Sequence, residues 1–369
     1  APNTRSSDHE WATWLAAHLS VANYNPPRCS VGAIICATCN GQALATVITE
    51  SDNRKNMKYR HLGNSGLEVS VIGLGTNNFG GRMELKEARE VIFAALDEGI
   101  NLIDTANIYS HGNSEEIIGR ALVDRRDEAL LATKFGMKWE DGPHGKGGSR
   151  KHVMDALEGS LKRLQTDYID LYQMHMQDPE TPIEETLRAL DDAVRDGKVR
   201  YIGLSNFVPW WIADAQWAAR HNGFVPFISS QPEYSMLERG VERAVLPVCE
   251  HFGLGTLPYY PLAHGFLTGK YRRGKAVPEG TRLALAPVAQ DKRLTDANFD
   301  ILEQLEVFVE KRGHSTVELA FAWILARKSV GSVIAGASTP DQIRQNAAAA
   351  EWELTDNEME ELAAILDGR

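Results

Sequence analysis

An aspartate, a tyrosine, a lysine and a histidine stand at the ends of three successive apolar runs in this chain. They are Asp104 and Tyr109 in NLIDTANIYS, Lys134 in ALLATKF, and His175 in YIDLYQMH. Singly, each residue type has an ordinary use: an Asp caps a helix, a Lys is solvated, a Tyr packs, a His settles into a core. Together, on adjacent units, they point to proton transfer. A phenol of pKa about 10 is a poor acid at neutral pH, and a nearby ammonium lowers that value by favouring the phenolate. A buried lysine loses its charge unless a carboxylate holds it, which Asp104 supplies. His175 offers a hydrogen bond that orients a substrate oxygen. The set amounts to a tuned proton donor beside an oxygen that gains charge, as reduction of a carbonyl requires.

The elements that position these residues follow from the apolar pattern. Residues 57–72 read as a β-hairpin with Gly63-Asn64-Ser65-Gly66 as its turn. Strand-like and helix-like segments then alternate: 72–76 with 84–98, 101–106 with 114–123, 129–135 with 149–164, and 168–175 with 182–195. The pattern continues with 199–206 and 209–221, 227–234 and 239–252, 254–261 and 315–328, and 330–338 and 340–350. The strand runs are apolar at successive positions, which indicates strands covered on both faces and hence a parallel sheet. Ser114 and Pro182 mark helix starts, and Gly99, Gly197 and Gly253 mark helix ends. Eight β/α units in one region predict an α/β fold, a closed (β/α)8 barrel of the TIM type. The competing doubly wound sheet would carry a G-x-G-x-x-G turn after its first strand, and Gly73-Leu74-Gly75-Thr76-Asn77-Asn78 lacks the third glycine. In a closed barrel the active site forms at the carboxyl ends of the strands, where Asp104, Lys134 and His175 fall, with Tyr109 in the loop above.

Composition narrows the function. Hydrophobic residues make up 43% of the chain and charged residues 24%, as in a soluble globular protein. The net charge of −11 argues against a nucleic-acid or anionic-membrane partner, and no apolar stretch reaches the ~18 residues of a membrane span. Of four cysteines, Cys29, Cys36 and Cys39 crowd into the first forty residues and only Cys249 lies beyond, which fits a reducing cytoplasm. Residues 1–56 lack the helix–strand rhythm and precede Met57. Their four basic and four acidic residues cancel, so the whole negative charge belongs to residues 57–369. They match neither a secretory signal nor a transit peptide. The expectation is an added or upstream segment outside the catalytic fold. Its Cys36-Ala-Thr-Cys39 is a weak redox or zinc signal without a second ligand pair.

Residues 57–369 resemble the aldo-keto reductase family, in its bacterial branch related to channel β subunits. The segments that carry the resemblance are DTANIYS, ATKFG, HMQDPETPIEETL, GKVRYIGLSNF, LTGKY and IAGASTPDQIRQN, in the family's order and spacing. The resemblance places Asp104, Tyr109, Lys134 and His175 on the catalytic tetrad, with Tyr109 as general acid. It implies NADPH/NADP+ as cofactor in preference to NADH. Gly75 and Thr76 fall among the cofactor-binding positions. Ser205, Asn206 and Gln231 would hold the carboxamide and Tyr259 would stack on the nicotinamide. Pro261, Leu262, Gly265, Leu267 and Lys270 would line the pyrophosphate. Gly336, Ser338, Gln342 and Asn346 would meet the adenosine end, with Arg282 or Arg344 facing a 2′-phosphate. Ser110, Tyr260 and His264 depart from the residues usual at those places.

Pocket walls come from loops. The candidates are Asn77, Asn78 and Phe79 after the first strand, and Trp139 in the glycine-rich loop 136–150. Trp210-Trp211 reads as helix packing rather than substrate contact, and the insertion 262–312 as cover for the cofactor. The leading expectation is therefore reversible NADPH-dependent conversion of a small aldehyde or ketone to an alcohol. The alternative is a nicotinamide-binding, redox-sensing regulatory subunit with little turnover. A barrel lyase or isomerase without nicotinamide is disfavoured by the Ser338–Asn346 segment.

Overall fold

The computed structural model describes residues 57–367. The expectations for residues 1–56, including those for Cys29, Cys36 and Cys39, lie outside the described residues. Eight parallel strands form one sheet: β3 (Ile72–Gly75), β4 (Leu102–Asp104), β5 (Leu130–Phe135), β6 (Ile169–Met174), β7 (Val199–Ser205), β8 (Ser229–Gln231), β9 (Gly255–Thr256) and β10 (Val333–Gly336). Their order is β10-β3-β4-β5-β6-β7-β8-β9. The last and first strands of that order also meet, through parallel bridges Thr256 to Val330 and Tyr259 to Ile334. The Ile334 amide donates to the Pro258 carbonyl at 2.8 Å and the Gly331 amide to that of Thr256 at 2.9 Å. The sheet thus closes into the expected (β/α)8 barrel.

The helices are α1 (Leu85–Asp97), α2 (Asn113–Ala121), α3 (Arg150–Leu164), α4 (Ile183–Arg195), α5 (Pro209–Asn222) and α6 (Val245–Phe252). They continue with α7 (Pro287–Arg293), α8 (Asp296–Glu310), α9 (Thr316–Leu325), α10 (Pro340–Ala348) and α11 (Asp356–Asp367). The region read as an insertion therefore contains two helices, α7 and α8, and α11 follows the last β/α unit. Gly197 and Gly253 end α4 and α6 with φ of 74° each, as expected for a left-handed cap. Two starts differ from expectation. Pro182 is the N-cap of α4 rather than its first residue. Ser114 lies inside α2, where its hydroxyl contacts the Thr76 carbonyl at 3.1 Å and the Thr105 hydroxyl at 2.9 Å. It ties α2 to the barrel instead of capping it. Among the described residues no helix is long and apolar enough to cross a membrane.

Two apolar layers hold the barrel. The larger lies between strands and helices. The smaller lies inside, at the amino ends of the strands, and contains Leu102, Ala132, Leu171, Leu257 and Ile334. A hairpin of β1 (Tyr59–His61) and β2 (Glu68–Ser70) supplies Leu62, Leu67 and Val69 to that inner layer. It is pinned there by the Asn64 amide, which donates to the Gly253 carbonyl at 2.8 Å. The approach is close: a Cβ on Gly255 would lie 2.5 Å from the Gly63 nitrogen. The barrel floor is therefore plugged by the chain's own hairpin.

Leu62 is fully buried at the centre of this plug. Leu62→Ala is expected to destabilise the barrel by about 2–5 kcal/mol, since both transfer energy and a cavity are involved. A urea midpoint within experimental error of wild type would contradict the plug's role.

Candidate active site

Side chains on a strand alternate between faces, so residues two apart share one. Leu102, Ala132 and Leu171 point into the barrel floor. Two positions on, one layer up, stand Asp104, Lys134 and Gln173. In register Lys134 pairs with Gln173, while Asp104 pairs with Ala132, two residues before Lys134, the stagger that tilted barrel strands impose. The same step leads from Ser229 to Gln231 and from Leu257 to Tyr259. The barrel interior is thus apolar below and polar above, and the polar layer is where the four residues singled out in the sequence converge.

Lys134 is fully buried. Its Nζ donates to Asp104 Oδ2 at 2.6 Å, to the Thr105 carbonyl at 2.8 Å and to the Tyr109 hydroxyl oxygen at 3.5 Å. All three ammonium hydrogens are directed. Burial opposes the charge most strongly, yet Asp104 and Tyr109 together outweigh it and leave the lysine pKa raised. Asp104 Oδ1 accepts from Gln231 Nε2 at 2.8 Å and from Gln173 Nε2 at 3.1 Å. Gln173 did not stand out in the sequence. It sits in a strand that is otherwise a core run, and only the alternation that carries Lys134 inward would have found it.

The phenol of Tyr109 behaves differently from the sequence expectation. Burial pushes its pKa up, and the lowering effect of Lys134 does not overcome this. Tyr109 is therefore a firmly protonated donor, not one poised to ionise. The backbone around it is bent hard: Ser110 and His111 have φ of 47° and 53°, followed by Gly112 at 90°. Non-glycine residues in this region are strained. The Ser110 hydroxyl offsets this by donating to the Phe79 carbonyl at 2.9 Å. The His175 ring lies edge-on to Tyr109 with centroids 5.9 Å apart. Burial first, and Lys134 second, depress its pKa to about 3, so the imidazole is neutral near pH 7. Among the described residues its buried Nδ1 has no hydrogen-bond partner.

The residues expected at the cofactor lie around the same mouth, and several already hold one another. The Ser205 hydroxyl donates to the Gln231 carbonyl at 2.7 Å. Asn206 donates to the His175 carbonyl at 3.0 Å and accepts from the Tyr259 hydroxyl at 2.8 Å. Thr76 is buried, with its hydroxyl on the Asp104 carbonyl at 2.9 Å. Gly75 ends β3 beside it. Pro261, Leu262, Gly265 and Leu267 form the turn after β9, in which Tyr260, Ala263, His264 and Gly265 all have positive φ. Leu267 is fully buried. Lys270 is exposed. Arg282 bridges two loops, donating to Tyr260 Oη at 2.7 Å and to Asn77 Oδ1 at 3.2 Å. Gly336, Ser338 and Gln342 are exposed around the start of α10, while Asn346 is buried on its inner face. Arg344 is exposed and pairs with Asp341 at 2.6 Å.

The expected pocket walls divide. Trp139 stacks on His111 with centroids 4.3 Å apart, beside the bend that carries Tyr109. Asn78 is buried and donates to the Ala337 carbonyl at 3.0 Å. Phe79 is a correction: it is fully buried in the outer core and offers no open wall. Trp210-Trp211 is another. Trp211 packs against the core, but Trp210 is 64% exposed.

A closed barrel with a buried lysine–carboxylate pair beneath a protonated phenol is the architecture of a nicotinamide-dependent barrel oxidoreductase. The Aldo/keto reductase family profile matches residues 71–367. The chain is 40% identical over 324 residues to the uncharacterized oxidoreductase YrpG of Bacillus subtilis, covering 85% of this chain and 97% of that protein. It is 37% identical over 306 residues to the L-glyceraldehyde 3-phosphate reductase of Escherichia coli, covering 79% and 86%. It is also 38% identical over 298 residues to a probable voltage-gated potassium channel subunit beta of Oryza sativa, covering 79% and 90%. This chain belongs to the aldo/keto reductase family and is an NAD(P)H-dependent oxidoreductase.

The depressed His175 pKa has a consequence for stability. A histidine held neutral in the fold binds fewer protons than in the unfolded chain, so its contribution is complete above about pH 6.5. It is lost as pH falls toward about 3. Between pH 6.5 and 5, above the carboxylate range, His175→Gln is expected to lessen the acid destabilisation of wild type. Parallel urea curves for the two proteins at every pH in that interval would refute it.

Proposed function

We propose that this protein reversibly reduces an aldehyde or ketone to an alcohol with NADPH, with Tyr109 as proton donor. The observation that carries this is the directed ammonium of Lys134, anchored by Asp104 and reaching the Tyr109 oxygen. Because that oxygen accepts from Lys134, the phenol's own proton remains for an outside acceptor. When the proton leaves, the ammonium lies against the oxygen that gains charge. A neutral His175 donates a hydrogen bond to the substrate oxygen and fixes its distance from Tyr109. The bound coenzyme supplies the hydride that reaches the carbonyl carbon.

The residues present suit a dinucleotide. Ser205, Asn206 and Gln231 provide both donors and acceptors for a carboxamide, and the half-buried Tyr259 offers a ring. Exposed Gly336, Ser338 and Gln342 stand around the start of a nine-residue helix, where anions are favoured. Arg344 supports NADPH over NADH as an exposed cation in the first turns of α10, which a 2′-phosphate would draw from Asp341 and Glu98. The start of the family match at residue 71 supports residues 1–56 as a segment outside the catalytic fold. We place the protein in the cytoplasm, on its sparing use of cysteine after residue 39.

A second reading, a regulatory subunit with little turnover, rests on relatives named as probable potassium channel β subunits. Kinetics separates the two. Tyr109→Phe is expected to lower kcat about 10²–10⁴-fold on any aldehyde that wild type reduces, with NADPH binding retained. Equal rates in wild type and variant would remove Tyr109 as the acid. Tight NADPH binding with no turnover of any carbonyl would establish the regulatory reading. For the coenzyme, Arg344→Ala is expected to weaken NADPH by about fivefold, the scale of an exposed ion pair, and leave NADH unchanged. Equal losses for both, measured by fluorescence titration, would take Arg344 away from the 2′-phosphate.

A further inference from the structure

The mouth of the barrel is apolar on one side. Among the described residues, three of the exposed large hydrophobic side chains follow β6 and β7, one in the loop after β6 and two at the N-terminus of α5. They are Met176, 47% exposed, Val208, 36%, and Trp210, 64%. Met176 directly follows His175. The two segments are joined, since Asn206 donates to the His175 carbonyl and the Val208 amide donates to Gln177 Oε1, both at 3.0 Å. The Trp210 ring stacks on that of Trp211 with centroids 4.8 Å apart and 16° between planes, and Trp211 leans on the buried Phe207. Trp210 is thus held as a fixed platform. Packing explains Trp211 but leaves Trp210 facing solvent.

The charges on these loops are equally informative. Residues 175–178 are His-Met-Gln-Asp and residues 205–211 are Ser-Asn-Phe-Val-Pro-Trp-Trp. Neither stretch contains a lysine or arginine. The one charged residue, Asp178, is anionic and accepts from the Gly148 amide at 2.8 Å and the Thr181 hydroxyl at 2.7 Å. The ammonium of Lys134 is committed to Asp104. A phosphate or carboxylate tail lying along this side would meet the Asp178 carboxylate, and the cation that acts on Asp178, Lys146, is itself beside Glu180 at 4.0 Å, whereas an alkyl or aryl tail would cover apolar surface.

We propose that Met176, Val208 and Trp210 are specificity-determining residues, and that they select carbonyl substrates bearing an apolar alkyl or aryl tail over phosphorylated ones. This rests on the reductase reading above and adds the substrate class. The carbonyl oxygen lies at Tyr109 and His175, and the tail runs from His175 across Met176 and Val208 to Trp210.

The test is kcat/KM for unbranched aldehydes from propanal to heptanal, with NADPH, beside L-glyceraldehyde 3-phosphate. A fully buried methylene is worth about fourfold, so half-exposed contacts give about twofold per methylene, appearing chiefly in KM. The series is expected to rise accordingly in wild type, and the triose phosphate to fall below heptanal. The slope is expected to flatten in Val208→Ser/Trp210→Ser and, independently, in Met176→Gln, with unchanged urea midpoints showing that both fold. A flat wild-type series with measurable turnover would overturn this inference alone. So would a slope retained in both variants, or a triose phosphate preferred to heptanal. Turnover of none of the compounds, with NADPH bound, would remove the reductase reading itself.

Discussion

A lysine ammonium without access to water governs the upper half of this barrel. Removing such a charge from solvent costs several kcal/mol unless geometry and hydrogen bonds compensate. Compensation here requires Asp104 from β4, Lys134 from β5, Gln173 from β6 and Gln231 from β8 to meet in one layer. The carboxylate is a cross-brace between strands as well as a counter-ion. Removing either charged partner would leave the other buried and unpaired, so the group that prepares the phenol also holds the strand ends in register. Stability and chemistry cannot be altered separately at these positions.

Backbone strain is arranged around that layer. One left-handed run, Ser110 to Gly112, brings the chain back over the barrel beside Tyr109; another, Tyr260 with Ala263 to Gly265, turns the chain after β9. Each contains residues with side chains where glycine would be at ease, and each is held by specific contacts. The Ser110 hydroxyl meets the Phe79 carbonyl, His111 stacks on Trp139, and the Tyr260 and His264 rings lie 4.1 Å apart. The densely packed shell between strands and helices supplies the rigidity that keeps such conformations populated.

Most of this architecture was readable from the chain because parallel strands covered on both faces leave continuous apolar runs. Asp104, Lys134 and His175 interrupt those runs at their carboxyl ends, which made the site visible too. Other features depended on three-dimensional balance. Gln173 looks like one polar residue in a core strand until its neighbours are placed. Phe79 sits in a loop by sequence yet is buried, because the chain after β3 turns back on itself there. Trp210 and Trp211 are adjacent and alike, and only the helix's rotation separates a packed ring from an exposed one. The sign of the Tyr109 shift was a contest between burial and a neighbouring cation, which no spacing rule decides. Helices α7, α8 and α11 lie outside the β/α repeat, so its rhythm did not announce them.

The hairpin that seals the barrel floor also fixes traffic. With Leu62, Leu67 and Val69 filling one end, every molecule that reaches the polar layer must come and go through the opposite opening. Two visitors sharing one doorway cannot pass each other. Whichever lies deeper has to arrive first and depart last, so the plugged floor by itself imposes a sequence of arrivals.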